Sequence, residues 1–328
     1  MDFLAVLNEI DNFIWGPPLL VLLVGTGILL TIRLNLLQIF KLPKALNLIF
    51  RAQNAGSGDI DSFKALCTAL SATVGTGNIV GVATAIHAGG PGALFWMWMA
   101  AFFGMATKYA EGLLAVKYRE TDEKGEIAVD IETLYEIADA IQVHVAFFGV
   151  LVAYFGIGTF AQVNSIVDIT KMTIGLDPVW TGAILTIFVA AITIGGLQSI
   201  ATAASRIVPA MAFIYFLSTI GILLVFADKV PAAVSMIFES AFTTTAATGG
   251  FLGATVMMAM KNGVARGVFS NESGLGSAPI VAAAAKTKWP AEQGLISMTG
   301  TFIDTIIICT LTGLTLVVTG VWCGMENG

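Results

Sequence analysis

The chain has 328 residues, of which 56% are hydrophobic and 12% are charged, and its formal net charge is −6. Soluble globular domains carry about 25% charged residues. Half of that value leaves too little charge to cover a water-facing surface, so the composition excludes an ordinary soluble protein and predicts an integral membrane protein. The two histidines lie far apart and the three cysteines lack metal-binding spacing, so no metal centre is expected.

The first predicted membrane span lies close to the N-terminus. Residues 13–32 form a run of 20 residues without a charge, which is long enough to cross the hydrocarbon core. Asp2, Glu9 and Asp11 precede this run, whereas a cleavable signal peptide begins with basic residues. The next stretch, 34–50, is amphipathic and basic, and we expect it either to lie along the inner leaflet or to serve as a plain connector.

A second charge-free run covers residues 65–107 and, at 43 residues, exceeds a single span. The sequence Gly-Gly-Pro-Gly within 87–93 predicts a tight turn. This turn divides the run into two predicted helices, at 63–88 and 92–118. Further apolar runs along the chain bring the predicted total to about eight membrane spans.

The positive charges predict the orientation. If the N-terminus lies outside, all of the 16 Lys and Arg residues except Lys171 and Lys229 fall on the inside, at the adjoining helix ends or in one interrupted segment. The positive-inside rule therefore predicts an outside N-terminus in the cell membrane. On this topology the polar stretch 121–142 is a cytoplasmic loop with a short surface helix.

The predicted helix at 63–88 contains the polar stretch SATVGTGNIVG, residues 71–81, at its centre. Glycine costs about 1 kcal/mol against alanine in a helix interior. One interpretation is a break beside a polar cavity, where the amides of Thr76 and Gly77 meet an anion. A cation would then meet the freed backbone carbonyls of Ser71, Thr73 and Val74 and the side-chain oxygen of Asn78. The other interpretation is close helix packing through the three glycines, and this stretch alone leaves both open.

A second predicted span, at 244–286, is interrupted by GVFSNESGLGSAP, residues 267–279. Two discontinuous segments in separate parts of a chain are the best sequence pointer to a binding site near the membrane midplane of a secondary transporter. The pair therefore favours a transporter. An enzyme is not expected, because the chain shows no nucleophile–base spacing, metal cluster or nucleotide-binding loop.

Asp304 lies within the last predicted span, at 292–320. An unpaired charge near the centre of a membrane helix costs at least about 2.5–3.5 kcal/mol. We expect this carboxyl to face the bundle interior and to be paired, protonated or bound to an ion, in either a structural or a coupling role. The aromatic stripe between Phe95 and Phe103 is expected to serve packing and interface anchoring.

Three long stretches carry a resemblance to a known family. They are SATVGTGNIVGVATAIHAGGPGALFWMWMAAFFGMATKYAEG (71–112), GVFSNESGLGSAPIVAAAAKT (267–287) and MTGTFIDT (298–305). They resemble hallmark regions of the alanine or glycine:cation symporters, which belong to the amino acid/polyamine/organocation carriers. The resemblance implies an all-α inverted-repeat symporter fold with discontinuous helices. It also implies one transmembrane domain, 1–328, in three parts: an extra N-terminal helix (13–33), a cytoplasmic amphipathic connector (34–62) and a partial symporter core (63–328).

The resemblance also implies roles for polar residues. The amides of Thr76 and Gly77 would hold the substrate carboxylate, and Asn78 would lie beside the substrate or an ion. Carbonyls of Ser71 and Val74 would contribute to a sodium site. The other implied substrate-lining residues are Gln162, Phe269, Ser270, Asn271 and Glu272.

Two of these residues have a structural alternative. Gln162 could serve only as a hydrogen-bonding group between two helices, without contacting the substrate. Glu272 could form a structural salt bridge with Arg266 or Lys261. The sequence also departs from the family pattern. Residues 127–142 replace a stretch that usually resembles GGPMYY in the family. The chain also ends about three membrane-spanning helices before the end of the family's core.

The sequence as a whole predicts a secondary symporter for alanine or glycine, with sodium as co-substrate and no cofactor. The expected partners are a small neutral amino acid, sodium and the lipid bilayer, without nucleic acid or an obligate protein partner. A proton is the alternative coupling ion. The alternative function, motivated by the absent helices, is a truncated non-transporting membrane protein or an amino acid sensor.

Overall fold

The computed structural model describes residues 16–51, 56–121, 127–129, 157–243 and 256–323, together with positions 6, 9 and 13. Most of the described chain is helical, and its strands are two or three residues long. The all-α class that the family resemblance implies is confirmed.

Three helices precede the first interrupted span: α1 (Pro17–Arg33), α2 (Leu37–Phe40) and α3 (Leu42–Phe50). Helix α1 starts with proline, whose fixed φ suits the first helical turn and whose missing N–H would have no partner there. Helix α3 buries Ala45, Leu48 and Ile49 and exposes Lys44. One apolar and one basic face are what the amphipathic pattern of 34–50 predicts.

The first interrupted helix has three parts: α4 (Ser62–Thr73), a π-helical turn (Gly77–Gly81) and α5 (Val82–Gly89). Asp61 caps α4, because its Oδ1 accepts a hydrogen bond from the Lys64 amide at 2.8 Å. The two halves are bent by 54° across the break. The break predicted within 71–81 is therefore present in the backbone.

A long helix, α6 (Gly92–Lys117), follows the predicted turn, where Gly90 adopts φ 73°. Its 26 residues extend about 39 Å at the usual helical rise. It packs against α1 and against most of the later helices, so it is the central helix of the described fold.

A short antiparallel hairpin joins β2 (Arg119–Thr121) to β3 (Ile127–Val129). It occupies the start of the predicted polar loop at 121–142. The surface helix predicted there lies outside the described residues.

Four further elements precede the second interrupted helix: α7 (Ile157–Ile174), α8 (Pro178–Thr193), α9 (Gly196–Val225) and α10 (Val230–Phe242). Asp177 caps α8 by accepting the Val179 amide at 2.9 Å. A 3₁₀ turn, Ala227–Lys229, connects α9 with α10.

The second interrupted helix consists of α11 (Val256–Asn271) and α12 (Ala278–Ala283), separated by a non-helical linker, residues 272–277. The interruption predicted within 267–279 is thus observed. The described helices lie inside the predicted span 244–286 but are shorter than it. The last turn of α11 already contains the polar residues Ser270 and Asn271, both buried.

The two interrupted helices are joined at one end. Strand β1 (Ile60–Asp61), just before α4, pairs in parallel with β4 (Ala285–Lys286), just after α12. Arg119 reinforces this junction with five hydrogen bonds, including Nη1 to the Ala283 and Ala285 carbonyls at 2.8 and 2.7 Å. The start of one interrupted helix is thereby fixed to the end of the other.

The last long helix runs from Pro290 to Thr319 in three parts: α13 (Pro290–Thr301), a π-helical stretch (Phe302–Cys309) and α14 (Thr310–Thr319). A second 3₁₀ turn, Val321–Cys323, follows it. These bounds are close to the predicted span 292–320, but the π-helical geometry around Asp304 was not predicted. The π-helix is rare and occurs frequently at functional sites.

Helix length and apolar composition identify candidate membrane spans in the described part of the chain. Gly196–Val225 and Pro290–Thr319 are each long and apolar enough to cross a bilayer, and the bent pair Ser62–Thr73 and Gly77–Gly89 is a third candidate. The predicted span 92–118 corresponds to α6, which has 26 residues but is not among these candidates. Other predicted spans correspond to shorter apolar helices such as α1 and α8, or lie partly outside the described residues. The figure of eight spans stays a prediction.

Candidate functional site

The candidate site centres on a buried carboxylate in the π-helical stretch. The side chain of Asp304 is 1% exposed. Its Oδ1 accepts a hydrogen bond from Asn78 Nδ2 at 2.7 Å, and its Oδ2 accepts bonds from Ser270 Oγ and Thr305 Oγ1, each at 2.8 Å. Three neutral donors thus hold this acid, and they come from both interrupted helices and from its own helix.

Asn78 connects the first break to this carboxylate. Its Oδ1 accepts a hydrogen bond from the Gly75 amide at 2.8 Å, so the side chain reaches back to the start of the second half of the helix, as the third residue of a capping box does. Its Nδ2 lies 3.0 Å from Ser270 Oγ and 3.1 Å from the Asp304 carbonyl oxygen. The residue therefore combines a capping role with a contact to the buried acid.

Gln162, on α7, lies beside the first break. Its Oε1 is 3.5 Å from the amide nitrogen of Thr76. A Cβ atom at Gly75 would lie 2.6 Å from this oxygen, so the glycine permits the close approach of the two elements. The glutamine and the amide predicted to meet a substrate carboxylate are thus adjacent.

The second break is held by hydrogen bonds within it and to the last long helix. Asn271 donates from Nδ2 to Thr305 Oγ1 at 3.1 Å and accepts the Ser273 amide at Oδ1 at 3.0 Å. Ser273 Oγ lies 3.0 Å from Thr301 Oγ1. Buried polar groups that all find partners fix a unique geometry, so this break has one defined shape.

Glu272 has a backbone φ of 53°, a left-handed conformation that is uncommon for residues other than glycine. Its Oε2 accepts a short hydrogen bond from Ser277 Oγ across the linker. The alternative of a salt bridge to Arg266 or Lys261 is wrong, because the ion pair found among the described residues is Lys64–Asp61.

Two predicted substrate-lining positions, Phe269 and Gly77, contact neighbours other than Asp304 in the described part of the chain. Phe269 is half-buried and lies beneath the guanidinium of Arg266, with 5.9 Å between Cζ and the ring centroid. Gly77 lies against α11, since a Cβ there would be 3.5 Å from Ser270 Cα, an ordinary contact distance. Gly77 therefore lies against Ser270, and Phe269 directly precedes Ser270 in α11.

The predicted sodium-binding carbonyls lie at the end of α4, for Ser71 and Thr73, and in the first break, for Val74. None of the three residues has a hydrogen-bonded link to the buried acid in the described part of the chain. Val74 follows the last residue of α4, and its own amide donates to Leu70 O at 2.8 Å. Ser71 is exposed, and its hydroxyl donates to Thr68 O at 2.7 Å. Thr73 is the buried member of the three. Their role as sodium ligands stays a prediction.

Sequence reasoning missed two residues of this region. Thr305 donates to Asp304 and accepts from Asn271, and its position directly after the buried acid was the available signal. Lys108 is 4% exposed and donates from Nζ to the carbonyls of Asn271 and Glu272 at 2.9 and 3.2 Å. Its signal was a charge of opposite sign to Glu111, three residues before it, inside a long and mostly apolar helix.

The aromatic stripe on α6 packs within the protein, as the sequence predicts. Trp96 Nε1 donates to the Ala241 carbonyl at 3.1 Å, and Trp98 Nε1 donates to Thr310 Oγ1 at 2.8 Å. Phe95 forms edge contacts with Trp96 and Phe238. These contacts tie α6 to α10 and α14.

The fold and the site together define a class. Two interrupted helices meet a buried, hydrogen-bonded acid in a largely apolar helical protein, and this combination is typical of secondary transporters.

The chain belongs to the sodium:alanine symporter family, whose model matches residues 1–328. It is 56% identical to an uncharacterized transporter of Haemophilus influenzae, covering 99% of this chain and 72% of that protein. It is 51% identical to the sodium/alanine symporter AgcS of Methanococcus maripaludis, covering 98% of this chain and 72% of that protein. A putative sodium/proton-dependent alanine carrier protein of Bacillus subtilis, YrbD, is 38% identical over 98% of this chain and 65% of that protein.

Proposed function

We propose that this protein carries small neutral amino acids, alanine or glycine, across the cell membrane together with sodium, by alternating access around a site at its two interrupted helices. The observation that carries the proposal is the contact of Asn78 and Ser270, one from each interrupted helix, with the buried Asp304. The Methanococcus maripaludis relative, a sodium/alanine symporter by name, supports alanine as substrate and sodium as ion.

The substrate carboxylate would bind at the first break. Half-helix N-termini present free amides and a positive dipole end, which favour an anion. The amides of Thr76 and Gly77 are at this position, and Gln162 already lies close to one of them. The amino group and small side chain would face the second break, at Phe269, Ser270, Asn271 and Glu272.

The sodium ion would bind near Asp304. Hard cations prefer carboxylate, carbonyl and hydroxyl oxygens. Asp304, Ser270 and Thr305 supply such oxygens within hydrogen-bond reach of one another. The neighbouring break adds the side-chain oxygen of Asn78. The carbonyls proposed to complete the set are those of Ser71, Thr73 and Val74.

A proton is the second candidate for the coupling ion. A carboxyl that is 1% exposed and surrounded by neutral donors can carry a proton instead of meeting a cation. The name of the Bacillus subtilis relative, a putative sodium/proton-dependent alanine carrier protein, also motivates a test of proton coupling. The family match along the whole chain favours transport over a non-transporting protein or an amino acid sensor.

The remaining proposals concern setting and partners. We place the protein in the cell membrane with its N-terminus outside, on the basis of the charge distribution. Transport, rather than catalysis, is its proposed activity, with sodium as co-substrate and no cofactor. Alkylation of a cysteine placed near residue 9, by an impermeant reagent on intact cells, tests the orientation, and protection from the reagent would contradict it.

Uptake by proteoliposomes tests the function. We expect labelled alanine to accumulate under an inward sodium gradient and to be released when the gradient is dissipated. A pH gradient without sodium is the parallel arm, because it separates the two coupling ions. Accumulation that ignores sodium and follows the pH gradient would replace sodium by a proton. A lack of alanine and glycine uptake under both gradients would refute the proposed function.

A further inference from the structure

Helix α6 carries a buried positive charge that the proposed transport mechanism has not used. Lys108 is 4% exposed, and its ammonium donates to the carbonyl oxygens of Asn271 and Glu272 at 2.9 and 3.2 Å. The ion pair present among the described residues is Lys64–Asp61, so carbonyl oxygens provide the nearest partners of the Lys108 charge.

These two carbonyls belong to the C-terminal end of α11. The last carbonyls of a helix lack partners within the helix and form the negative end of its dipole. A cation placed there is favourable, and burial strengthens the interaction because the surroundings screen it weakly. Lys108 therefore fixes the point at which the second interrupted helix stops.

The chain direction changes at the same point. Glu272 adopts a left-handed φ of 53°, and such conformations persist only when surrounding contacts enforce them. The ammonium contacts the carbonyl of this residue and that of the residue before it. Ser270, whose hydroxyl bonds to Asp304 at 2.8 Å, precedes this end by a single residue. A shift of the helix end would move that hydroxyl.

Glu111 lies three residues further along α6, on the same face as Lys108. Its half-buried carboxyl group lies near the backbone amides of Gly274 and Gly276 in the linker, while its Oε2 has no hydrogen-bond partner among the described residues. Both polar side chains of α6 therefore face the backbone of the second interrupted helix.

We infer that Lys108 is a positioning residue of the transport site: its ammonium holds the end of α11 and thereby sets Ser270 against Asp304. This inference rests on the proposed function. It assigns Lys108 no contact with the substrate. Its effect is exerted through the two backbone carbonyls.

The first test is sodium-dependent alanine uptake by the Lys108→Met variant. Methionine keeps the length and removes the charge. We expect the KM for sodium to rise about tenfold, the size of effect that losing one charge-assisted hydrogen bond produces. Lys117→Met is the matched control, because Lys117 is on the same helix but exposed. An unchanged KM with a lower maximal rate would indicate only fewer folded molecules and would overturn the inference.

The second test does not require transport. Hydrogen exchange of the linker amides, residues 272–277, should be faster in Lys108→Met than in the unchanged protein and in the Lys117→Met control. Unchanged linker exchange in a folded variant would overturn the inference. If the unchanged protein takes up no alanine but the linker exchanges faster, the proposed function fails while the positioning contact stands. If the methionine variant does not fold, Lys108→Gln, which keeps an uncharged donor, replaces it in both measurements.

Discussion

Replacing Asp304 by asparagine removes the only formal charge of the hydrogen-bonded centre and nearly preserves its shape. An asparagine oxygen at the Oδ1 position still accepts from Asn78, whose Nδ2 lies at 2.7 Å. The new amide nitrogen replaces Oδ2, where Ser270 and Thr305 donate at 2.8 Å. Both hydroxyls can rotate to accept instead. We therefore expect Asp304→Asn to insert and fold.

The effect on a bound cation is much larger than the effect on folding. Two opposite unit charges 4 Å apart interact with about 4 kcal/mol at an effective dielectric constant of 20. About 1.4 kcal/mol corresponds to a factor of ten in binding, so the loss amounts to about a thousandfold at most. Desolvation of the buried carboxylate offsets part of it. We expect the KM for sodium to rise by at least about tenfold.

The measurement is initial alanine uptake by proteoliposomes over a range of sodium concentrations, repeated across pH. Asp228→Asn is the matched control, because that aspartate is exposed in the turn between α9 and α10. If the carboxyl carries a proton instead, the variant should lose the pH dependence and keep its response to sodium. A folded Asp304→Asn protein with normal sodium and pH dependence would refute a coupling role and leave Asp304 structural.

Three further substitutions test neighbouring features. Gly77→Leu should abolish alanine binding without preventing folding, because a Cβ atom there already contacts Ser270 of α11 and a leucine side chain would extend beyond it. Gly221→Leu is the control, because Gly221 faces open space. Normal alanine binding by the Gly77 variant would contradict the site. Asn78→Asp places a second carboxylate beside Asp304, at a contact that now measures 2.7 Å, so alanine affinity should fall while cation binding is kept or strengthened. Calorimetric titration at several sodium concentrations measures both affinities. Unchanged affinities would leave Asn78 only its capping role. Arg119→Ala removes five hydrogen bonds from the junction of the interrupted helices, so the melting temperature should fall by about 3–6 °C. An unchanged melting temperature would mean that the junction is stable without the Arg119 side chain.

The two interruptions were predictable because their signals are local. Glycine, serine and asparagine are concentrated within 71–81 and 267–279, where an unbroken membrane helix would exclude them. The observed breaks fall inside both stretches. The acid at Asp304 was predictable for a similar reason, since an ionisable residue in an apolar span requires a partner.

The partners themselves were not predictable from local pattern. Asn78 and Asp304 are 226 positions apart, and Lys108 and Asn271 are separated by 163. Backbone carbonyls are present at every residue, so the sequence gives no sign of which two will receive the Lys108 ammonium. The π-helical stretch around Asp304 contacts both broken helices, and its sequence contains no local mark of the π geometry.

The interrupted helices are held together at two places with different chemistry, and this difference bears on how the proposed transport cycle could work. At the centre, Asn78, Ser270 and Asp304 form side-chain contacts in which a cation could replace a hydrogen bond. At the β1–β4 end, Arg119 contacts carbonyl oxygens, and partial burial lowers the pKa of its guanidinium while Asp59 opposes that shift. Arginine remains charged at physiological pH despite such a shift, so protonation does not control this contact. Water can take the place of its carbonyl partners once that end opens, at a modest net cost per hydrogen bond. The two places therefore differ in what can replace their contacts: a cation or substrate group at the centre, and water at the Arg119 junction.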